Sequence, residues 1–212
     1  MMKGGAFKKD TVKAVDLFDQ ASKAGEVRAC YNLGSIFALG SGEVEMDRKR
    51  AGLEFKAAAG LGYVPAMTAL SKLAESADPV DHGSAADWYE KGHETGDVVG
   101  TTNLAHAYVK GRGRSVSWVR ARVLYTEAAA RGYFRAFNDL GVMHEEGYGV
   151  HIDLLTAYSF YLQAVKGDYP KAGKNLAQLI IKAHFTWMLK HAALDYCIWA
   201  ARNAPDEERA DF

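Results

Sequence analysis

Ala136-Phe137-Asn138-Asp139-Leu140-Gly141-Val142-Met143-His144-Glu145-Glu146-Gly147-Tyr148-Gly149-Val150 decides how this chain folds. It is a helix built around Leu140-Gly141 and stopped by Gly147-Tyr148-Gly149. Glycine ends a helix cheaply because it accepts a left-handed backbone that costs other residues energy. The same leucine-plus-small pair recurs as Leu33-Gly34, Leu70-Ser71, Leu104-Ala105 and Leu176-Ala177, in steps of 37, 34, 36 and 36. Gly25, Gly62, Gly96, Gly132 and Gly167 keep pace, in steps of 37, 34, 36 and 35. Two independent markers advancing together identify an internal repeat.

A third marker lies between them: alanine, an aromatic four residues later, then small residues three and four beyond. The clear copies are Ala14/Phe18/Ala21/Ser22, Ala51/Phe55/Ala58/Ala59 and Ala121/Tyr125/Ala128/Ala129; Ala85/Tyr89/Gly92, Ala157/Tyr161/Ala164/Val165 and Ala193/Cys197/Ala200/Ala201 are looser. Spacings of four and seven place these residues on one helical face. Small residues there admit a neighbouring helix, and the aromatic fills the gap between layers. Each repeat is therefore a helix A around the leucine, a loop, a helix B around the alanine and aromatic, and a glycine turn. Gly40-Ser41-Gly42 and Gly111-Arg112-Gly113 supply further A-to-B loops, with Asp47 and Asp153 as helix-B N-caps. The closing glycines, Gly167 included, are expected to be left-handed.

These residues resemble Sel-1-like repeats, relatives of the tetratricopeptide repeats. The resemblance rests on Ala29-Cys30-Tyr31-Asn32-Leu33-Gly34-Ser35-Ile36-Phe37, on the 136–150 segment, and on Ala121-Arg122-Val123-Leu124-Tyr125-Thr126-Glu127-Ala128-Ala129-Ala130-Arg131-Gly132. It covers roughly 14–202. It implies an all-α fold: a right-handed α-solenoid, or superhelix, of antiparallel helix pairs, with about five full repeats after an N-terminal half repeat. The expected organisation is a single domain over 1–212. A half repeat spans 10–25, full repeats span 26–62, 63–96, 97–132, 133–167 and 168–203, and a tail spans 204–212. The third repeat departs from the pattern. It has Ser76-Ala77-Asp78-Pro79-Val80-Asp81-His82-Gly83 in place of the glycine loop, and Leu70 and Ala85 lie 15 apart against 17 or 18 elsewhere, so a shorter or reshaped loop is expected. The sixth has Ala183-His184-Phe185 where the glycines should be. Its Trp187 and Trp199 belong to what reads as a terminal cap.

Composition bounds the function. Basic and acidic residues balance at 26 each, which argues against a nucleic-acid or anionic-membrane partner. Hydrophobic content of 49% supports a sizeable core. No apolar run is long enough to span a bilayer, and the first residues lack a signal peptide's apolar stretch. Cys30 and Cys197 lie near opposite ends and are read as free thiols, favouring a reducing intracellular compartment such as the cytoplasm.

Nothing in the sequence composes a catalytic or metal site, so no cofactor is expected. The seven histidines lack the spacing of a zinc hydrolase, and nucleophile elbow, P-loop and dinucleotide fingerprint are absent. His144 stands where the family carries a packing aromatic, and packing is its expected role. The cysteine-rich relatives linked to beta-lactam hydrolysis carry a disulfide pair in each repeat, which this chain lacks. The run Lys110, Arg112, Arg114, Arg120 and Arg122, with Trp118 inside it, has two readings. It is a basic patch for an acidic peptide or nucleic-acid backbone, or a solvated loop and helix start with Trp118 packed on the next repeat.

The resemblance implies a protein-interaction module, an adaptor or scaffold, with bacterial signalling, secretion or immunity as sub-cases. The alternative is a structural subunit of a large assembly. In such repeats helix A lines the concave surface. Positions two before, one before and two after the leucine are expected to face a protein or peptide partner. These are Tyr31, Asn32 and Ser35; Thr102, Asn103 and His106; Asn138, Asp139 and Val142; and Lys174, Asn175 and Gln178. Lys110, Glu145, Glu146 and Lys182 follow one turn on.

Overall fold

The computed structural model describes residues 11–41, 44–182, 198–199 and 202–203. Among these, ten α-helices form and no extended strand: α1 Thr11–Lys23, α2 Val27–Leu39, α3 Arg48–Gly60, α4 Val64–Glu75, α5 His82–Glu94, α6 Val98–Lys110, α7 Trp118–Ala130, α8 Phe134–Glu146, α9 Leu154–Lys166 and α10 Pro170–Lys182. Even-numbered helices are the A helices and odd-numbered ones the B helices. The chain divides into two compact units, Met1–Gly100 and Thr101–Phe212, where the sequence reads as one repeat array. The sixth helix B, with Ala193, Cys197 and Trp187, and the terminal tail lie outside the described residues.

In the first unit α2 packs on α1, α3 and α4, and α4 packs on α3 and α5. Its core contains Cys30, Leu33, Phe37, Phe55, Met67 and Leu70, with Val15 and Phe18 of α1 half-buried against it. Cys30 is a buried free thiol. In the second unit α8 packs on α7, α9 and α10 around Tyr161, Leu176, Leu179 and Ile180.

The small residue after the leucine is a seat for the helix-B aromatic. A Cβ added to Gly34 would stand 2.7 Å from the Phe55 ring, and one on Gly141 would stand 2.5 Å from the Tyr161 ring. Real Cβ atoms do not approach so closely, so any larger residue in the seat forces the ring to shift.

The caps follow the sequence. Asp47 accepts from the Arg50 amide, and Asp153 from the Leu155 and Thr156 amides. These bonds satisfy amide donors that the first helical turn leaves open. Between α4 and α5 the loop covers 76–81, shorter than the 111–117 and 147–153 loops, and contains a cis Asp78-Pro79 bond. Asp81 caps α5 through the Ser84 amide.

Gly25, Gly62, Gly96 and Gly132 have φ between 80° and 86°. Gly167 does not: it has φ −94°, and Asp168 takes the left-handed position at φ 57°. The cause is a one-residue slip. The bonds Gly132 N–H to Ala129 O and Tyr133 N–H to Ala128 O reappear as Asp168 N–H to Val165 O and Tyr169 N–H to Ala164 O. Asp168 therefore corresponds to Gly132. Gly167 serves another purpose, because the Phe134 ring occupies the space where its Cβ would be.

Candidate functional site

In the first unit the site is a groove of ≈ 450 Å³ on the helix-A side, between α2 and α4. Tyr31 and Phe55 form its aromatic part, with ring centroids 5.7 Å apart. Ser35 lines it and donates its hydroxyl hydrogen to Tyr31 O at 2.9 Å, so its lone pairs stay available. Pro65, Thr68, Ala69, Lys72 and Leu73 form the α4 wall. Arg48, from the first turn of α3, closes the loop end and donates to Ser76 Oγ. Asn32 is exposed beside it. Tyr31, Asn32 and Ser35 are thus together on one surface. Thr68, Ala69 and Lys72 stand at the same three offsets from Leu70, so the sequence rule reaches them although the third repeat is missing from the expected set.

The second unit builds a different surface. His106 of α6 places Nε2 3.0 Å from Asp139 Oδ2 of α8, and Arg135, one turn before Asp139, brings Nη2 to 3.3 Å from the same nitrogen. Arg135 Nε lies 3.9 Å from Asp139. Burial disfavours the charged Arg135, but the Asp139 carboxylate together with Tyr169 and Tyr133 more than offsets it, and its pKa is raised. Tyr125 meets the His106 ring edge-on at 5.4 Å, and burial, with Asp139 nearby, raises its hydroxyl pKa. Arg135 was not among the expected residues; its i, i+4 spacing to Asp139 was the available signal.

Further along α8, Tyr161 Oη donates to Glu145 Oε2 at 2.8 Å. Lys182 Nζ sits 3.2 Å from Glu145 and 3.3 Å from Glu146, and those hydrogen bonds raise its pKa.

Two expected groove residues face inward instead. Thr102 is 0% exposed and Asn138 is 2% exposed. Asn138 Oδ1 accepts from Asn175 Nδ2 at 2.8 Å, so this amide pair ties α8 to α10. Val142 is half-buried against the Tyr161–Leu176 core. Asn103, Lys174 and Asn175 are half-buried, and Gln178 is exposed.

The basic run does not converge. Arg120 donates to Tyr108 Oη at 3.0 Å, and Arg114 to Gly113 O. Lys110, Arg112 and Arg122 are exposed. Trp118 stacks on Tyr148 at 4.5 Å and packs against Gly149, which is the packing role. His144 packs its ring against Phe160 at 5.5 Å. Among the described residues no group of three or more His, Cys, Asp or Glu could hold a metal ion. No helix there is long and apolar enough to cross a membrane.

The Sel1 repeat model matches residues 1–26, 27–53, 99–133 and 136–169, more than half of the chain. The chain belongs to the Sel1 repeat family. Sel1 repeats are protein-interaction modules. A curated relative is the ERAD-associated E3 ubiquitin-protein ligase component HRD3B of Arabidopsis thaliana, 33% identical over 91 residues. That match covers 43% of this chain and 15% of the relative, so the chain spans a small part of the relative's length. Two solved structures share the Sel1 fold. One is a protective antigen of uropathogenic Escherichia coli displaying an SLR fold: TM-score 0.78, 24% identity, 89% of this chain and 40% of that one. The other is a Sel1 repeat protein from Oxalobacter formigenes: TM-score 0.73, 20% identity, 88% of this chain and 75% of that one.

Proposed function

We propose that this chain is an adaptor or scaffold that holds a partner protein or peptide on the helix-A faces of its repeats. The observation that carries the proposal is that, within each unit, helix-A positions one before and two after the leucine are mostly polar and at least partly exposed. These are Asn32 and Ser35 in the first unit, and Asn103, His106, Asp139, Asn175 and Gln178 in the second. Amides and hydroxyls at such positions hydrogen-bond an extended backbone without demanding one sequence, and the inner faces of helical repeats are usual binding surfaces. Family membership supports the reading, as does a relative named as an E3 ubiquitin-protein ligase component.

The test is capture of a partner by the tagged chain and two surface variants. Asn32→Arg with Gln178→Arg alters exposed helix-A positions; Leu53→Arg with Val123→Arg alters exposed positions on α3 and α7. A stoichiometric partner lost only with the helix-A pair supports the proposal. Loss only with the helix-B pair assigns the interaction to the outer surface and favours a subunit of a fixed assembly.

A further inference from the structure

The helix-A faces of the two units differ in how their charges are satisfied. In the second unit several are paired internally, Arg135 with Asp139 and Lys182 with Glu145 and Glu146, and His106 adds a hydrogen bond to Asp139. In the first unit the groove between α2 and α4 carries two cations, Arg48 and Lys72, and among the described residues no acidic one lines it. Among the described residues Arg48 has the neutral Ser76 hydroxyl as its side-chain partner, and neither Arg48 nor Lys72 forms an ion pair there. The rest of the lining is largely apolar, with hydroxyls at Ser35, Thr68 and Ser76. We infer that this groove binds an extended peptide segment that places an apolar side chain beside Tyr31 and a carboxylate between Arg48 and Lys72. The inference rests on the adaptor reading and narrows it to a partner class.

Three physical reasons converge. A carboxylate gains charge-assisted hydrogen bonds from both cations without displacing an existing ion pair. The guanidinium fork of Arg48 can donate two parallel hydrogen bonds to a carboxylate, a geometry the Ser76 hydroxyl cannot match. A volume of ≈ 450 Å³ walled by aromatic and aliphatic groups accommodates an apolar side chain with its flanking backbone. The carboxylate is that of an Asp or Glu side chain or of a chain terminus; both present the same chemistry.

The experiment is fluorescence polarisation of the full chain with labelled synthetic peptide pools. Each pool has a central Leu or Phe. The flanking positions are Asp/Glu, Asn/Gln or Lys/Arg, and every pool is made with a free and an amidated C-terminus. The acidic pool is expected to bind about tenfold more tightly than the neutral one, with an advantage that shrinks as salt rises. Arg48→Glu and Lys72→Glu should each weaken it about tenfold. Lys56→Glu, on α3 away from this groove, should change nothing. Thr68→Trp, which fills the groove, should weaken every pool, and thermal melts of each variant establish that it folds. If only free C-termini bind, the carboxylate is terminal; if amidation is immaterial, it is a side chain. Equal binding of neutral and acidic pools, blocked by Thr68→Trp but indifferent to Arg48→Glu and Lys72→Glu, overturns the acidic class and leaves the adaptor reading standing. No binding by any pool overturns the groove, and the adaptor reading is then decided by the capture experiment on helix A.

Discussion

The phenolic hydroxyl of Tyr161, from the middle of helix α9, donates to Glu145 Oε2 at 2.8 Å in the last turn of α8. Tyr161 is fully buried, and Glu145 is also held by Lys182. The bond therefore fastens helix B to helix A within one repeat and, through Lys182, to the next helix A. Tyr161→Phe keeps the ring and removes the bond. Hydrogen bonds to charged acceptors contribute about 1.5–3 kcal/mol, so a stability loss near the low end of that range is expected in urea titration. Lys182 remains to neutralise Glu145.

The same residue gives a prediction at alkaline pH. Burial holds the Tyr125 and Tyr161 hydroxyls above the ordinary tyrosine value of 10, and the hydrogen bond to Glu145 adds to the effect at Tyr161. The unfolded chain then loses these protons first. Stability is intact below about pH 10 and falls as pH rises beyond it, by at most about 1.4 kcal/mol per pH unit per tyrosine. Lys182, also raised, acts in the same direction but is solvent-screened. Denaturant midpoints measured at rising pH should fall for the parent chain and fall less steeply for Tyr125→Phe and Tyr161→Phe. Equal slopes would contradict this account.

Gly141→Ala places a methyl 2.5 Å from the Tyr161 ring, and Gly34→Ala places one 2.7 Å from Phe55. Helix propensity favours alanine by about 1 kcal/mol, while overpacking costs about 1–3 kcal/mol. Tyr161 is anchored by Glu145 and Phe55 has no such tether. The net loss should therefore be larger at Gly141 than at Gly34, where it approaches zero. Paired thermal melts of the two variants check the order.

Asp168 takes a left-handed backbone at the position that is glycine in four earlier turns. Asp168→Gly should stabilise the chain by about 0.5–1 kcal/mol, the conformational penalty less the added freedom of the unfolded state. Gly167→Ala should do the opposite, because the Phe134 ring fills its Cβ space. A drop in melting temperature for Asp168→Gly would reject the register assignment.

Asn138→Ala leaves the Asn175 amide without its acceptor and should cost about 1–3 kcal/mol. Asn32→Ala, at an exposed position, should leave the melting temperature unchanged and weaken capture of a partner. Reversed outcomes would exchange the structural and binding roles assigned here.

The helical architecture was legible because leucine, alanine and aromatic anchors recur at spacings that only stacked helices explain. Gly167 breaks the pattern because the residue that matches the earlier glycines in composition is one position ahead of the one that matches them in hydrogen-bond register. The groove was partly legible, and the misses have one geometric cause. Along α8, at about 100° per residue, Ala136, Asn138, Leu140, Gly141 and Met143 are buried around most of the circumference. The arc left open holds Arg135, Asp139, Val142 and Glu146. Positions one before and two after the leucine fall on that arc; the position two before falls outside it, where Asn138 meets α10. Thr102 occupies the same offset in α6 and is also buried. The His106–Asp139 contact joins residues 33 apart, and sequence spacing on one helix could not reveal it.

The seat that Gly141 offers Tyr161 has a consequence for building with these parts. Socket and plug belong to different helices of one repeat, so each must fit a residue across the loop and not its counterpart in the next repeat. A segment cut from Phe134 to Asp168 carries both halves of the lock and could be duplicated in tandem. A chimera cut within the 147–153 loop would inherit one half, and would fold only if its donor supplied the matching shape.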